Sequence, residues 1–197
     1  MIEVEQKFVL AGNEQAQLLA GAAFVNEKTI RDVYFDRLDF SISTKNSWLR
    51  KRNGGWEVKI SLSNQSTEQS FDNFKELTNE NDIRKFLRLE RKESLTADIN
   101  KAGYIEIANI VTTRQTYKID EFIIAIDQVQ NTGYRLAEIE LNVKHEQEMN
   151  QAKTKITEFA KSRGLVERPI KGKVYEYIRE HNPVHYVLLQ KAGIIRE

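Results

Sequence analysis

The sequence has no cysteine, so it offers neither disulfides nor thiolate metal ligands, as suits a reducing compartment. Proline occurs only at Pro169 and Pro183, and no Pro/Gly-rich linker, low-complexity tract or internal repeat divides the chain. A single domain over residues 1–197 is the simplest organisation, long enough for a sizeable core. No apolar run could span a bilayer, and residues 1–10 do not read as a signal peptide, so a cytoplasmic location is expected. An excess of one charge is also missing: 30 Lys and Arg against 29 Asp and Glu leave +1. Such balance gives no bulk attraction to nucleic acid or to a membrane, and neither partner is expected. A charged ligand must be held by local clustering instead.

What the chain does have is alternation. In IEVEQKF (2–8), Glu3, Glu5 and Lys7 fall on one side of a strand, with Val4 and Phe8 on the other. RDVYFD (31–36) alternates too. WLRKR (48–52), NGG (53–55) and WEVKISL (56–62) read as a hairpin, because Asn-Gly accepts the positive φ values of a tight turn. FKELT (74–78), TTRQTYKI (112–119), FIIAID (122–127) and YRLAEIELNV (134–143) are further strands, with Asp120-Glu121 as a short turn. Helical spacing appears in 79–90, in 149–164 and in two shorter segments near the C-terminus, the second starting at Pro183. A short helix over 13–22 has Asn13 as its expected cap, and residues 94–110 fit either helix or strand.

Taken singly, each strand fits an ordinary antiparallel sheet with one wet face. Pooled, the charged faces are unusual. Trp48, Arg50 and Arg52 share one face; so do Glu57 and Lys59, Arg114 and Lys118, and Glu138 and Glu140. Like charges two residues apart repel unless a counter-charge sits among them. A closed barrel with its charged face inward would answer this, basic residues holding a polyphosphate and carboxylates holding Mg²⁺ or Mn²⁺ against it.

The residues Glu3-Val4-Glu5-Gln6-Lys7 resemble the ExExK signature of the CYTH superfamily, the triphosphate tunnel metalloenzymes. WLRKR…WEVK, TTRQTYK, AID…GY…EIE and RPIKGKVYEYI follow in family order, and the resemblance runs from Ile2 to about Tyr186. Within the family the segments are most similar to its thiamine triphosphatase branch. The resemblance implies an α+β fold, an eight-stranded antiparallel β-barrel tunnel with helices packed outside. It implies that Arg50, Arg52, Lys59, Arg114 and Lys118 contact phosphates, and that Glu3, Glu5, Asp127, Glu138 and Glu140 hold the metal, with Mg²⁺ expected and Mn²⁺ possible in its place. Glu76 is a further inward acid, and Lys7 lies near the reactive end of the triphosphate, so Lys7, Glu5 and Glu76 are the candidate catalytic groups. Lys171 and Lys173 compete for one role closing over the phosphates, and spacing after Pro169 favours Lys171.

Trp48 bears on the substrate. In thiamine triphosphatases a tryptophan at this position stacks on the thiazolium ring, and an indole face attracts a cationic heteroaromatic by about 0.5–2 kcal/mol. Packing alone is the other reading for Trp48, and likewise for Tyr34, a second candidate for the same pocket.

The implied activity is metal-dependent hydrolysis of thiamine triphosphate to thiamine diphosphate and phosphate by a monomer. Alternatives of the same fold are an inorganic triphosphatase, another organic triphosphate hydrolase, a class IV adenylate cyclase, or a barrel that binds phosphometabolites without turning them over. His145, His181 and His185 do not form a metal set, since Pro183 breaks the helix that would align the last two; surface or capping positions are expected for them.

Overall fold

A computed structural model of the protein describes residues 2–62, 71–130, 132, 134–166 and 172–195. Eight strands carry the architecture: β1 (Ile2–Phe8), β2 (Ala23–Asp36), β3 (Ser47–Arg52), β4 (Gly55–Ser61), β5 (Phe71–Leu77), β6 (Ile105–Ile119), β7 (Phe122–Val129) and β8 (Arg135–Val143). They form an antiparallel sheet whose order, β1-β5-β4-β3-β2-β6-β7-β8, closes in a ring with the helices outside. The helices are α1 (Glu14–Leu18), α2 (Glu80–Leu87), α3 (Leu95–Lys101), α4 (Met149–Ser162), α5 (Lys173–His181) and α6 (Pro183–Lys191). None of the described helices is long and apolar enough to cross a membrane.

Two compact units can be distinguished, one of Met1–Ile30, Ser66–Phe74 and Val111–Lys173, the other of Arg31–Gln65, Lys75–Ile110 and Val174–Glu197. In the first unit β1 pairs antiparallel with β8, and β8 with β7. α4 packs against both β1 and β8. Its Ala152, Ile156 and Ala160 recur every four residues and are buried, as are Val4, Phe8, Ile139 and Leu141 on the strands. Each fully buried aliphatic side chain here is worth about 1.5–3 kcal/mol. Phe159 of α4 also stacks on Phe122, ring centroids 4.3 Å apart.

In the second unit the β3–β4 hairpin forms as the sequence requires. Arg52 faces Gly55 across the turn, and Asn53 and Gly54 take φ of +47° and +94°. α2 begins at Asn79, whose side chain accepts from the N–H groups of Asn81 and Asp82, and it ends at Arg88 in the left-handed region. Ile83 and Leu87, one turn apart, drop into a core of Leu49, Val58, Leu95, Ile99 and Tyr104.

Three local expectations change. Asn13 makes no side-chain cap; its backbone turns at φ −96°, ψ 6°, and the Glu14 side chain instead accepts from the Ala11 N–H at 2.7 Å. Residues 94–110 resolve into both options, helix α3 and then the start of β6, with Gly103 at φ +82° making the break between them. His185 is neither a surface nor a capping residue. It is fully buried and stacked on Phe40 at 3.9 Å. Its Nε2 lies 2.8 Å from Ser43 Oγ, which donates to Asp36 at 2.6 Å. This is not a nucleophilic set, because Asp36 holds the serine rather than the imidazole, and all three side chains are buried. The trio ties α6 to the turn at Ser43–Lys45, and burial lowers the His185 pKa to about 4.

Candidate functional site

In the first unit, register decides which charges meet. The β1–β8 ladder sets Glu3 opposite Asn142, Glu5 opposite Glu140 and Lys7 opposite Glu138. Two carboxylates therefore face each other on one rung, an arrangement that costs stability unless a cation sits nearby. Glu3, Glu5 and Glu140 each present an oxygen within 4.8 Å of the other two. Lys7 donates to Glu5 at 2.5 Å.

Arg114 on β6 is opposite Asp127 on β7 and grips it with a fork: Nε and Nη2 donate to the two carboxylate oxygens at 2.6 and 2.7 Å. The same guanidinium pairs with Glu138 and lies 3.6 Å from Glu140. Lys173, at the start of α5, pairs with Asp127 as well. Asp127 is fully buried, and Glu5 and Glu138 nearly so.

These neighbours push the acids apart. Burial is the largest influence on Glu138 and raises its pKa, but Arg114, Lys173 and Lys7 together outweigh burial and the Glu5 charge, so the net shift is downward. Glu140 goes the other way. Burial, then the charges of Glu3 and Glu138, hold its carboxyl well above the usual range, and Arg114 offsets only part of this. A set of hard oxygen donors crowded this closely, with one carboxyl resisting ionisation at Glu140, suits a small divalent cation, whose charge would relieve that repulsion.

In the second unit the charged face of β3 lies beside aromatic rings. Arg50 is buried and donates to Glu57 from Nε at 2.8 Å, and it reaches Glu76 at 3.3 Å. Lys59 lies 3.5 Å from the same Glu76 oxygen. Arg52 forks onto Asp32 at 2.7 and 2.9 Å. Burial works against the Arg50 charge, but Tyr34, Asp32, Glu57 and Glu76 outweigh it and hold the guanidinium charged. Trp48 is 4% exposed, its ring met edgewise by Tyr34 at 6.0 Å and by Tyr175 of α5 at 5.3 Å. Asn46 joins the cluster: its Oδ1 accepts from Trp48 Nε1 at 3.3 Å and from the Tyr175 hydroxyl at 3.2 Å.

Residues 1–168 match the CYTH domain family. The chain belongs to the CYTH family. Curated relatives of this CYTH protein include the thiamine-triphosphatase of Homo sapiens, 28% identical over 218 residues that cover 100% of this chain and 93% of that protein. The thiamine-triphosphatase of Macaca fascicularis is 28% identical over 214 residues, covering 98% and 91%. Among solved structures, a protein of Pyrococcus horikoshii OT3 superposes with a TM-score of 0.62 at 21% identity, covering 90% of this chain and 98% of that one. HpAC1 from Hippeastrum, described as having a dominant triphosphatase activity, gives 0.58 at 13% identity, covering 90% and 95%. At these identities the two structures establish the CYTH fold alone.

Within the first unit the structure gathers Glu3, Glu5, Lys7, Arg114, Asp127, Glu138 and Glu140. Within the second it gathers Tyr34, Trp48, Arg50, Arg52, Lys59 and Glu76. Lys118 is itself exposed on β6, opposite Ile123, which pairs in turn with Glu140. Lys171 falls outside the described residues, and Lys173 is the lysine seen on Asp127. Asp32 and Tyr175 were not among the expected site residues. Asp32 was legible in principle, two residues before Tyr34 on an alternating strand; Tyr175, on a helix far away in the chain, left no such signal.

Proposed function

We propose that this CYTH protein hydrolyses thiamine triphosphate to thiamine diphosphate and phosphate. The observation that carries this reading is Trp48 on the same strand face as Arg50 and Arg52, with Tyr34 and Tyr175 against its ring. That face offers an aromatic surface for a cationic ring and, two and four residues on, the guanidinium groups of buried Arg50 and half-buried Arg52 for phosphate oxygens. The naming of human and macaque relatives as thiamine-triphosphatases supports it.

In this reading Arg50, Arg52, Lys59, Arg114 and Lys118 bind phosphate oxygens, the paired ones exchanging their present carboxylate partners for substrate. Glu3, Glu5 and Glu140 would hold Mg²⁺ or Mn²⁺, with Asp127 and Glu138 completing the acidic set and fixing Arg114 between them. When bound, the cation would disperse the charge on the phosphate oxygens. Lys7, which pairs with Glu5, would bring its ammonium near the reactive end of the triphosphate. A water oxygen attacks the terminal phosphorus, the bridging P–O bond breaks, and thiamine diphosphate leaves with that bridging oxygen. The water's proton passes to a carboxylate; Glu76 is suited to this, because 34% of its side chain is exposed to water beside Arg50 and Lys59. Lys171 or Lys173 closes over the phosphates. A monomer in the cytoplasm goes with this reading.

The test is phosphate release from thiamine triphosphate, tripolyphosphate and ATP at matched Mg²⁺, with and without a chelator. A clear preference for thiamine triphosphate, abolished by chelation, is expected. Faster turnover of tripolyphosphate would assign an inorganic triphosphatase instead, and activity surviving thorough metal removal would overturn the metal role.

A further inference from the structure

The second unit contains a cavity that the proposed reaction does not use. It measures about 1040 Å³, at the upper end for a small-molecule pocket. Alternation shows which side of the sheet it is on. Its strand residues are Ser47, Ile60, Lys75 and Leu77. These are the positions between Trp48, Lys59 and Glu76, so they point away from the charged face. Ile42, Leu87 and Tyr104 of the buried core form its apolar lining, and Phe86 lies beside them.

The remaining lining is strongly cationic. Arg37, Lys45, Lys75, Lys85 and Arg88 face Asp39 and Asp82, an excess of three positive charges. Arg37 lies over the apolar lining, its guanidinium carbon 4.9 Å from the Tyr104 ring centroid, which sets a fixed positive charge beside an aromatic ring.

We propose that this outer cavity binds a small amphipathic anion, an aromatic or aliphatic body carrying a phosphate or carboxylate head, at a site separate from the charged face of the sheet. The body would lie against Ile60, Phe86, Leu87 and Tyr104. The head would meet Arg37 and the lysines of β5 and α2, which supply the complementary charge.

The probe is 8-anilinonaphthalene-1-sulfonate, with uncharged N-phenyl-1-naphthylamine as its comparison, each titrated by fluorescence into the full chain with saturating tripolyphosphate and Mg²⁺ present. Saturable binding of the sulfonate that survives tripolyphosphate is expected. The Lys75→Glu/Lys85→Glu variant should weaken it by about tenfold or more while changing the uncharged probe little. Lys85→Glu alone, on the exposed side of α2, should give a smaller loss in the same direction, and it keeps the test open if the double variant folds poorly. Displacement of the sulfonate by tripolyphosphate, unchanged affinity in both variants, or equal loss of the two probes would each overturn the proposal.

Discussion

Arg114 occupies both carboxylate oxygens of Asp127 with one guanidinium fork, at 2.6 and 2.7 Å. Lys173 adds a second cation to the same acid, and Arg114 also takes Glu138. Arg114 and Lys173 thus concentrate on Asp127 and Glu138, while Glu3, Glu5 and Glu140 crowd their oxygens within 4.8 Å of one another, with Lys7 on Glu5 and Arg114 3.6 Å from Glu140.

That division separates two substitutions. Glu140→Gln should raise the Mg²⁺ concentration for half-maximal activity by about 10–100-fold, the usual effect of weakening a metal's carboxylate environment. Asp127→Asn should lower kcat/KM by a similar factor, about 10–100-fold, through loss of Arg114 and Lys173 placement, and move the metal requirement much less. Metal titrations of phosphate release distinguish the two. Equal shifts in metal requirement would place Asp127 directly on the cation.

The raised Glu140 pKa makes the metal-free protein sensitive to alkaline conditions. Burial, Glu3 and Glu138 lift it well above 4.5, so the folded state binds this proton more tightly than the unfolded chain. The associated stability is fully present below the unfolded value and is lost as pH rises through the folded one. The melting temperature of chelated protein should therefore fall as pH rises above 4.5, less so for Glu140→Gln, and Mg²⁺ should flatten the curve. Thermal melts with and without chelator measure this.

His185 acts at the opposite end of the scale. Its pKa falls from 6.5 to about 4 because burial disfavours the imidazolium. The unfolded chain binds this proton more readily, so the stability is present above pH 6.5 and lost as pH drops toward 4. His185→Gln should remove that part of the slope, visible as a smaller difference in melting temperature between neutral and mildly acidic buffer.

Trp48→Ala should lower kcat/KM for thiamine triphosphate by about 2- to 30-fold, the range of a cation–π contact, and leave tripolyphosphate hydrolysis near its parent value. An equal loss on both substrates would make Trp48 a packing residue of the Tyr34–Tyr175 cluster.

Much of this could be read from strand alternation. One side apolar and one side charged is a period-two signal, and it located Glu3, Glu5, Arg50, Arg52, Arg114, Glu138 and Glu140 on their shared faces. The Asn53-Gly54 turn was equally plain, since few other pairs accept two positive φ values in succession. The early part of β2 was hidden because Ala23–Lys28 is largely exposed and leaves no buried stripe to read. Cross-strand partners were hidden too. Composition cannot say that Arg114 faces Asp127 rather than a rung further along, because register depends on the whole ladder. Tyr175 escaped for the same reason, since it matters through Trp48, remote in sequence; Asp32 stood on a legible strand face, and only its pairing with Arg52 was hidden.

The chain has only two tryptophans, and they sit in unlike surroundings. Trp56 donates to Thr96 at 2.9 Å with Lys51 over its ring, while Trp48 is hemmed by two phenol edges and one amide oxygen. Replacing Trp56 with Phe would leave a single indole as the dominant emitter, fed by energy transfer from tyrosines a few ångströms away. The protein would then carry its own optical gauge: a ring arriving against Trp48 would quench or shift that emission within the mixing time, without dye, label or coupled assay.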